Sequence, residues 1–262
     1  MYNPTTNNNY TCQYIKDIKT WEKNKLFSIK TTKDSSFHFK AGQFARVGLL
    51  NKKYNDIIWR AYSIASSPKE TYLEFYYTVI KNGVFTKQLS ELVIGNQILI
   101  ENKPYGFLSI DQFLANNYDT HNKLWLIATG TGLSAYISIL RDKFTWEKFK
   151  KIFLVHSTSF SSDLSYGEEL KNISANNKNF KYIPITTKEN SNTNLQERVT
   201  IALENGKLET LAGETIDAEC SKVMLCGNPL MLSDMRKLLT NRGFYTSKQN
   251  KIGNLALERY WI

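Results

Sequence analysis

The sequence predicts two domains: an antiparallel Greek-key β-barrel over residues 1–116, then a doubly wound α/β parallel sheet over residues 117–262. Three observations carry this. The first half is written in short apolar segments separated by Lys, Asn, Asp and Gly clusters, the pattern of an antiparallel sheet closing on itself. The second half alternates apolar runs with helix-period stretches, as a parallel sheet covered on both faces requires. Between them Ala115 to Asn122 is polar, and the junction is placed there.

From Tyr10 the chain reads as strands, with clear segments at Leu26–Ile29 and Phe44–Leu49. In the strand Trp59–Pro68, two-residue alternation puts Arg60 and Tyr62 on one face and Ala61 and Ser63 on the other. A guanidinium beside an aromatic ring offers a fork for a pyrophosphate and a plate for a flavin ring; an exposed cross-strand pair is the other reading. The next strand, Leu73–Val79, contains Tyr76, Tyr77 and Thr78. After it, Asn82-Gly83-Val84-Phe85-Thr86 opens a helix, Phe85–Leu92, whose start with a hydroxyl suits phosphate oxygens. Ile98–Ile100 is a further strand, and Lys103–Leu108 an edge or exit loop.

The second half is organised around Leu124-Trp125-Leu126-Ile127-Ala128-Thr129-Gly130-Thr131-Gly132-Leu133-Ser134-Ala135-Tyr136. An unbroken apolar run entering two glycines and a helical pattern is a buried strand, a tight turn and a helix N-terminus. Gly130, Gly132 and Ala135 fit the dinucleotide fingerprint with alanine at its third position, although glycines between strand and helix also serve as plain turns. Strands follow at Ile152–Val155, Phe180–Ile185 and Val223–Cys226, with helices to about Arg141, around Tyr166–Ile173, at Leu195–Leu203 and at Pro229–Leu239. Ligands of such sheets sit beyond the carboxyl ends of the strands, which selects Thr129 to Gly132, His156 to Ser159, Thr186 to Lys188 and Cys226 to Pro229. No carboxylate closes the strand ending at Val155; the hydroxyls of Ser157 and Ser159 suit a phosphorylated ribose or no ribose contact. Lys188 and Arg198, near them, are solvated charges or the holders of that phosphate. Cys226-Gly227-Asn228-Pro229 repeats the glycine-turn layout, with Pro229 suited to a first helical turn.

Composition narrows the class. The 262 residues carry 42% hydrophobic side chains and a net charge of +10 spread along the chain. That field steers acidic macromolecules to the surface, and no nucleic-acid motif accompanies it. No apolar run approaches the roughly 20 residues of a membrane helix, and the polar start at Met1–Asn9 lacks a leader pattern, so a cytoplasmic location is expected. Cys12, Cys220 and Cys226 form no metal-ligand spacing, and no metal is expected.

Arg60-Ala61-Tyr62-Ser63, Gly130-Thr131-Gly132, Val155-His156, Asp163-Leu164-Ser165-Tyr166, Leu225-Cys226-Gly227-Asn228-Pro229 and Glu258-Arg259-Tyr260-Trp261 together resemble the bacterial ferredoxin/flavodoxin–NADP reductases, from about Tyr10 to the end. The resemblance implies a six-stranded barrel holding FAD and a five-stranded sheet holding NADP(H). Arg60 then contacts FAD phosphate, Tyr62 stacks on the flavin, Ser63 hydrogen-bonds near its reactive edge, and Ala61 between them belongs to the same cofactor site. Tyr76, Tyr77, Thr78, Val84, Phe85 and Thr86 complete that site. Tyr260 covers the other flavin face, and Trp261 holds the adenine portion. Cys226 and Glu258 are candidates for hydride geometry and proton supply. The implied activity is hydride transfer from NADPH to FAD, then single electrons to ferredoxin or flavodoxin, by a monomer. A reductase of free flavin, quinone or an oxygenase partner, or a flavoprotein sensor, would use the same residues. Three departures stand out: Ser159 and Lys188 occupy positions where relatives carry arginine, leaving Arg198 as the retained one; Ala135 replaces a proline; and Ile262 extends past the usual terminal Trp. Lysine lacks arginine's planar fork, so a weakened NADPH preference is expected.

Overall fold

Strand β1 (Tyr10–Glu22) is long enough to serve two neighbours. Its first residues, Tyr10 to Tyr14, pair with β6 (Gln97–Glu101), and Ile15 to Glu22 pair with β2 (Leu26–Thr32). Register shifts between Ile15 and Asp17 and between Thr20 and Glu22 give the bends that a closing sheet needs. With β3 (Phe44–Asn51), β4 (Asp56–Ser63) and β5 (Tyr72–Thr78) the antiparallel order is β4-β3-β6-β1-β2-β5. An Ile64–Phe75 bridge and a 2.7 Å hydrogen bond from Ala65 N–H to the Glu74 carbonyl join the two ends into a barrel. Helix α1 (Val84–Ser90) closes one mouth with Phe85 and Leu89.

This computed structural model describes residues 9–51, 56–114, 123–189, 195–247 and 252–259; the expected junction at Ala115–Asn122 lies outside them. The second domain runs β7 (Lys123–Thr129), α2 (Leu133–Arg141), α3 (Lys143–Lys148), β8 (Lys151–Thr158), α4 (Gly167–Asn176), β9 (Phe180–Thr186), α5 (Val199–Glu204), α6 (Lys207–Ala212), β10 (Ser221–Gly227), α7 (Pro229–Asn241) and β11 (Leu255–Arg259). All five strands are parallel, in the order β11-β10-β7-β8-β9. The apolar run of β7 divides by alternation: Trp125 and Ile127 enter the core under α5, α6 and α7, while Leu124, Leu126 and Ala128 enter a second core. That second core also takes in Leu26, Ala65, Tyr76 and Leu108 of the barrel, so one face of the nucleotide-type sheet shares its packing with the first domain.

Several boundaries differ from expectation. The helix expected from Leu195 starts at Val199, because Leu195 bridges Ile185 as a fragment of strand. Tyr166 precedes its helix in a left-handed conformation, φ 60°, with its ring packed against Trp21 at 4.3 Å. β4 ends at Ser63, so Ile64–Pro68 leaves the strand towards α2. The short helices α3 and α6 and the edge strand β11 fall on stretches whose mixed polarity hides a period.

The domains are joined through a buried carboxylate. Glu74 is 2% exposed and accepts from Arg141 Nη1 at 2.7 Å and from the Tyr166 hydroxyl at 2.7 Å. Arg141 also forks onto Glu169, at 2.7 and 2.8 Å, and donates to the Ala65 carbonyl at 3.2 Å. Burial opposes the guanidinium's charge, but Glu169 and Glu74 more than offset it and hold its pKa above the ordinary value. Ser138 donates to the Ser66 carbonyl, and the Tyr76 hydroxyl donates to Ser165 Oγ. Replacing Arg141 by Leu strands Glu74 as an uncompensated buried charge, and urea unfolding is expected to show a loss of about 3–5 kcal/mol. Lys143→Ala, which removes an exposed pair with Glu147, should cost less than about 1 kcal/mol in the same assay.

Candidate functional site

Two surfaces carry the residues expected to bind. One is a cleft of about 490 Å³ between the domains, at the carboxyl ends of the parallel strands. Thr129, Gly130, Thr131, Gly132, Ser157, Ser159, Arg198, Gly227 and Asn228 line it, as the strand-end rule anticipated. Its other wall belongs to the barrel: Lys25, Leu26, Tyr76 and Thr78.

The two glycine turns are coupled. A Cβ on Gly132 would lie 2.6 Å from the Cys226 carbonyl, so only glycine lets β10 approach the start of α2. Gly130, at φ 54°, has open space on its Cβ side, which leaves the turn accessible. Thr129 Oγ1 accepts the Asn228 N–H at 2.7 Å and ties one turn to the other. The helices then differ: Asn228 Oδ1 already caps Leu230 and Met231 N–H of α7, whereas α2 has no side-chain cap. Among the described residues the uncapped donors at the cleft are therefore those of the Gly130–Gly132 turn and α2, joined by the start of the short helix α5 at Arg198–Thr200. His156, fully buried, sits 3.0 Å through Nε2 from the Gly130 carbonyl and holds that turn from below. Burial lowers its pKa to about 4, so it is neutral and donates.

Lys188 does not line the cleft; its ammonium lies 5.9 Å from the Phe160 ring, and its N–H bonds to the Ser159 carbonyl. Cys226 and Pro229 also stand outside the lining: Cys226 lies in the core behind Gly132. Thr158 and Thr187 line it from the selected strand ends, whereas Lys25 and Asp163, an ion pair across the domains, and Val199, Thr200, Leu230, Met231 and Asp234 join the cleft unanticipated. Lys25 follows Asn24, whose φ of 57° signals a hairpin turn, but nothing local says which domain that turn would meet.

The second surface is the outer end of β4. Arg60 is exposed, with Nη1 on the Trp59 carbonyl and no carboxylate partner among the described residues. Tyr62 is half-buried, held at 5.9 Å by Phe85 and at 6.2 Å edge-on by Tyr77. Ser63 Oγ is buried without a hydrogen-bond partner among the described residues, a donor with nothing to donate to. The β5 residues expected together divide by alternation: Tyr77 enters the barrel core, while Tyr76 and Thr78 face the cleft. Val84 is exposed and Phe85 buried; the Thr86 hydroxyl closes the turn, accepting from Ile80 N–H and donating to the Gly83 carbonyl, rather than standing free.

Glu258 stands outside the cleft lining, against a barrel loop. On β11 it is opposite Cys226 of β10, and its Oε2 faces Gly106 so closely that a Cβ there would be 2.7 Å away. Burial pushes its pKa up to about 7, and burial followed by the Glu258 charge raises the Cys226 thiol well above its ordinary value. Tyr260 and Trp261, expected on the flavin, lie outside the described residues. A guanidinium without a carboxylate partner, a positioned ring and a hydroxyl without a hydrogen-bond partner among the described residues, all on one strand end, fit a flavin dinucleotide. An uncapped glycine turn with Arg198 across it fits a phosphorylated nicotinamide coenzyme.

A barrel of this kind packed on a nucleotide-type sheet defines the two-domain flavin- and nicotinamide-linked oxidoreductases, and the matched families agree. Residues 12–108 match the oxidoreductase FAD-binding domain and residues 126–237 the oxidoreductase NAD-binding domain. The chain is 38% identical, over 96% of its length and 98% of the relative's, to a flavodoxin/ferredoxin–NADP reductase of Buchnera aphidicola. It is 30% identical to that of Escherichia coli, covering 94% of this chain and 97% of the relative. The crystal structure of a ferredoxin NADP+ reductase from Neisseria gonorrhoeae, with bound FAD and NADP, superposes with a TM-score of 0.89 at 28% identity, covering 97% of this chain and 99% of that one. The chain belongs to the flavodoxin/ferredoxin–NADP reductase family.

Gly132→Ala must push β10 away from α2, and NADP+ titration is expected to show affinity reduced about tenfold or more, together with a lower Tm. His156 gives a signature in acid. The unfolded chain takes up a proton near pH 6.5 that the fold refuses until about 4, so its contribution is complete above pH 6.5 and is lost as pH falls towards 4. Urea midpoints across that window should record about 3 kcal/mol lost, a slope absent in His156→Gln.

Proposed function

We propose that this protein takes electrons from NADPH through FAD to ferredoxin or flavodoxin, a reading supported by relatives named flavodoxin/ferredoxin–NADP reductase and by the FAD and NADP bound in the Neisseria gonorrhoeae structure. The observation that carries the reading is the interdomain cleft, where an uncapped glycine turn of one domain opens against the strands of the other. FAD, when bound, supplies the chemistry, accepting a hydride and releasing electrons singly.

The residues do the rest. Arg60 forks onto the pyrophosphate, with the Ala61 backbone alongside, and Tyr62 offers its ring to one flavin face. By the family resemblance, Tyr260 would cover the other flavin face and Trp261 would hold the adenine end; both lie outside the described residues. The Ser63 hydroxyl donates to an acceptor at the flavin edge and so gains the partner it lacks. Glu258, poised near neutral pH, holds a proton at its carboxyl for that edge. Cys226, kept as a thiol by burial, sets how closely the nicotinamide approaches. Thr129 to Gly132 and Gly227 to Pro229 frame the coenzyme, and Ser157, Ser159 and Arg198 take its 2′-phosphate. Lys188 contributes long-range charge. We assign the working form as a cytoplasmic monomer divided near residue 116.

NADPH added anaerobically to the FAD-loaded protein should bleach the flavin, and flavodoxin or ferredoxin should then reoxidise it. A flavoprotein that stays yellow overturns the reading. Arg198→Gln is expected to raise the KM for NADPH about tenfold or more while leaving that for NADH within about twofold, because only NADPH carries the lost phosphate contact. Glu258→Gln should remove the inflection near pH 7 from the kcat profile, with KM for NADPH nearly unchanged.

A further inference from the structure

Among the described residues lining the interdomain cleft, the positive side chains are Arg198 of the parallel-sheet domain and Lys25 of the barrel, and the negative ones are Asp163 and Asp234. Such a wall repels phosphate unless an acid is neutralised, and Lys25 does this for Asp163. The lysine is fixed at its backbone. Its N–H donates to the Glu22 carbonyl at 3.1 Å across the β1–β2 hairpin, and its carbonyl accepts the Val79 N–H at 2.8 Å. The ammonium therefore reaches the other domain from a braced turn. Its partner carboxylate is 10% exposed, whereas the lysine side chain is 43% exposed. An ammonium carries three N–H donors, and Asp163 Oδ1 takes one of them, so the exposed head retains donors for the cleft. Its position along the cleft is also given. The Lys25 ammonium lies 5.6 Å from the ring of Phe160, the residue after Ser159, so it stands at the end of β8, where Ser157 and Ser159 line the cleft, and not at the β7 turn.

We infer that Lys25 is a specificity-determining residue supplied by the barrel, its ammonium meeting the coenzyme 2′-phosphate opposite Arg198. The inference rests on the proposed use of NADPH. Asp163 is the positioning residue: its nearly buried carboxylate holds the ammonium at the end of β8 and spares a flexible side chain part of the ordering cost of binding. The two cations divide the task. Arg198 brings a planar fork that fixes the phosphate's orientation, and Lys25 brings a compact charge that accepts it from the other domain. Discrimination between phosphorylated and unphosphorylated coenzyme is then shared by both domains, and the coenzyme braces the barrel hairpin against the parallel sheet.

The test is the double variant Lys25→Met/Asp163→Asn in the FAD-loaded protein, which removes the pair without leaving a lone charge. It is titrated with 2′,5′-ADP and 5′-AMP and assayed with NADPH and NADH. The Kd for 2′,5′-ADP and the KM for NADPH are expected to rise about fivefold or more, while the Kd for 5′-AMP and the KM for NADH stay within about twofold. Lys25→Gln, which keeps Asp163 and the hairpin backbone, should show the same selective rise, and Lys25→Arg should hold both values near those of the wild type. An NADPH KM within about twofold of wild type in the double variant overturns the assignment, because Lys25 would then serve only to neutralise Asp163. An equal rise for NADH and 5′-AMP overturns it too, since the ammonium would then act on the pyrophosphate or on domain packing. A wild type that binds 5′-AMP as tightly as 2′,5′-ADP would instead overturn the parent reading of NADPH as coenzyme.

Discussion

Everything assigned to the cleft depends on how one domain is turned against the other, and that is set by a buried guanidinium–carboxylate pair. Glu74 belongs to the barrel and Arg141 to the last turn of α2, the helix that begins at the coenzyme turn. A buried charge tolerates no other partner geometry without a penalty of several kcal/mol, so the pair contributes orientation more than net stability. Glu169 and Tyr166 extend it to the start of α4. The same helix is thereby anchored at its C-terminal end to the barrel and at its N-terminal end, through Gly132, to β10.

That anchoring explains why the groups proposed for the chemistry come from both domains. Ser63 and Tyr62 sit at a barrel strand end, Cys226 and Glu258 on neighbouring strands of the parallel sheet, and Gly106 of a barrel loop closes over the Glu258 carboxyl. The loop shields the carboxyl from water, and desolvation is what moves its pKa into the neutral range. Neither domain alone would give Glu258 that property. His156 plays the opposite part: the same desolvation keeps it neutral, so it serves as a fixed donor under the Gly130 carbonyl and not as a titrating group.

Much of this was legible in the chain. The Leu124–Ala128 run could only be a strand buried on both faces, and the glycines after it marked the ligand end of the sheet. Of the charged groups expected there, Arg198 reaches the cleft, whereas Lys188 rests beside Phe160. Their separation is decided by the path between β9 and α5, where Leu195 adds a strand fragment in place of a helical turn. Lys25 and Asp163 escaped notice because each is ordinary in its own segment and becomes informative only once paired across the interface.

The sequence by itself determined the order of domains, the strand-end turns and the aromatic–cationic face of β4, because alternation, glycine placement and chain direction are local properties. Only the tertiary structure decided which residues of different strands share a water-excluded space: the split of Tyr76 from Tyr77 and the matching of Glu258 with Cys226. Burial and charge pairing are sums over neighbours distant in the chain, and no local pattern contains them.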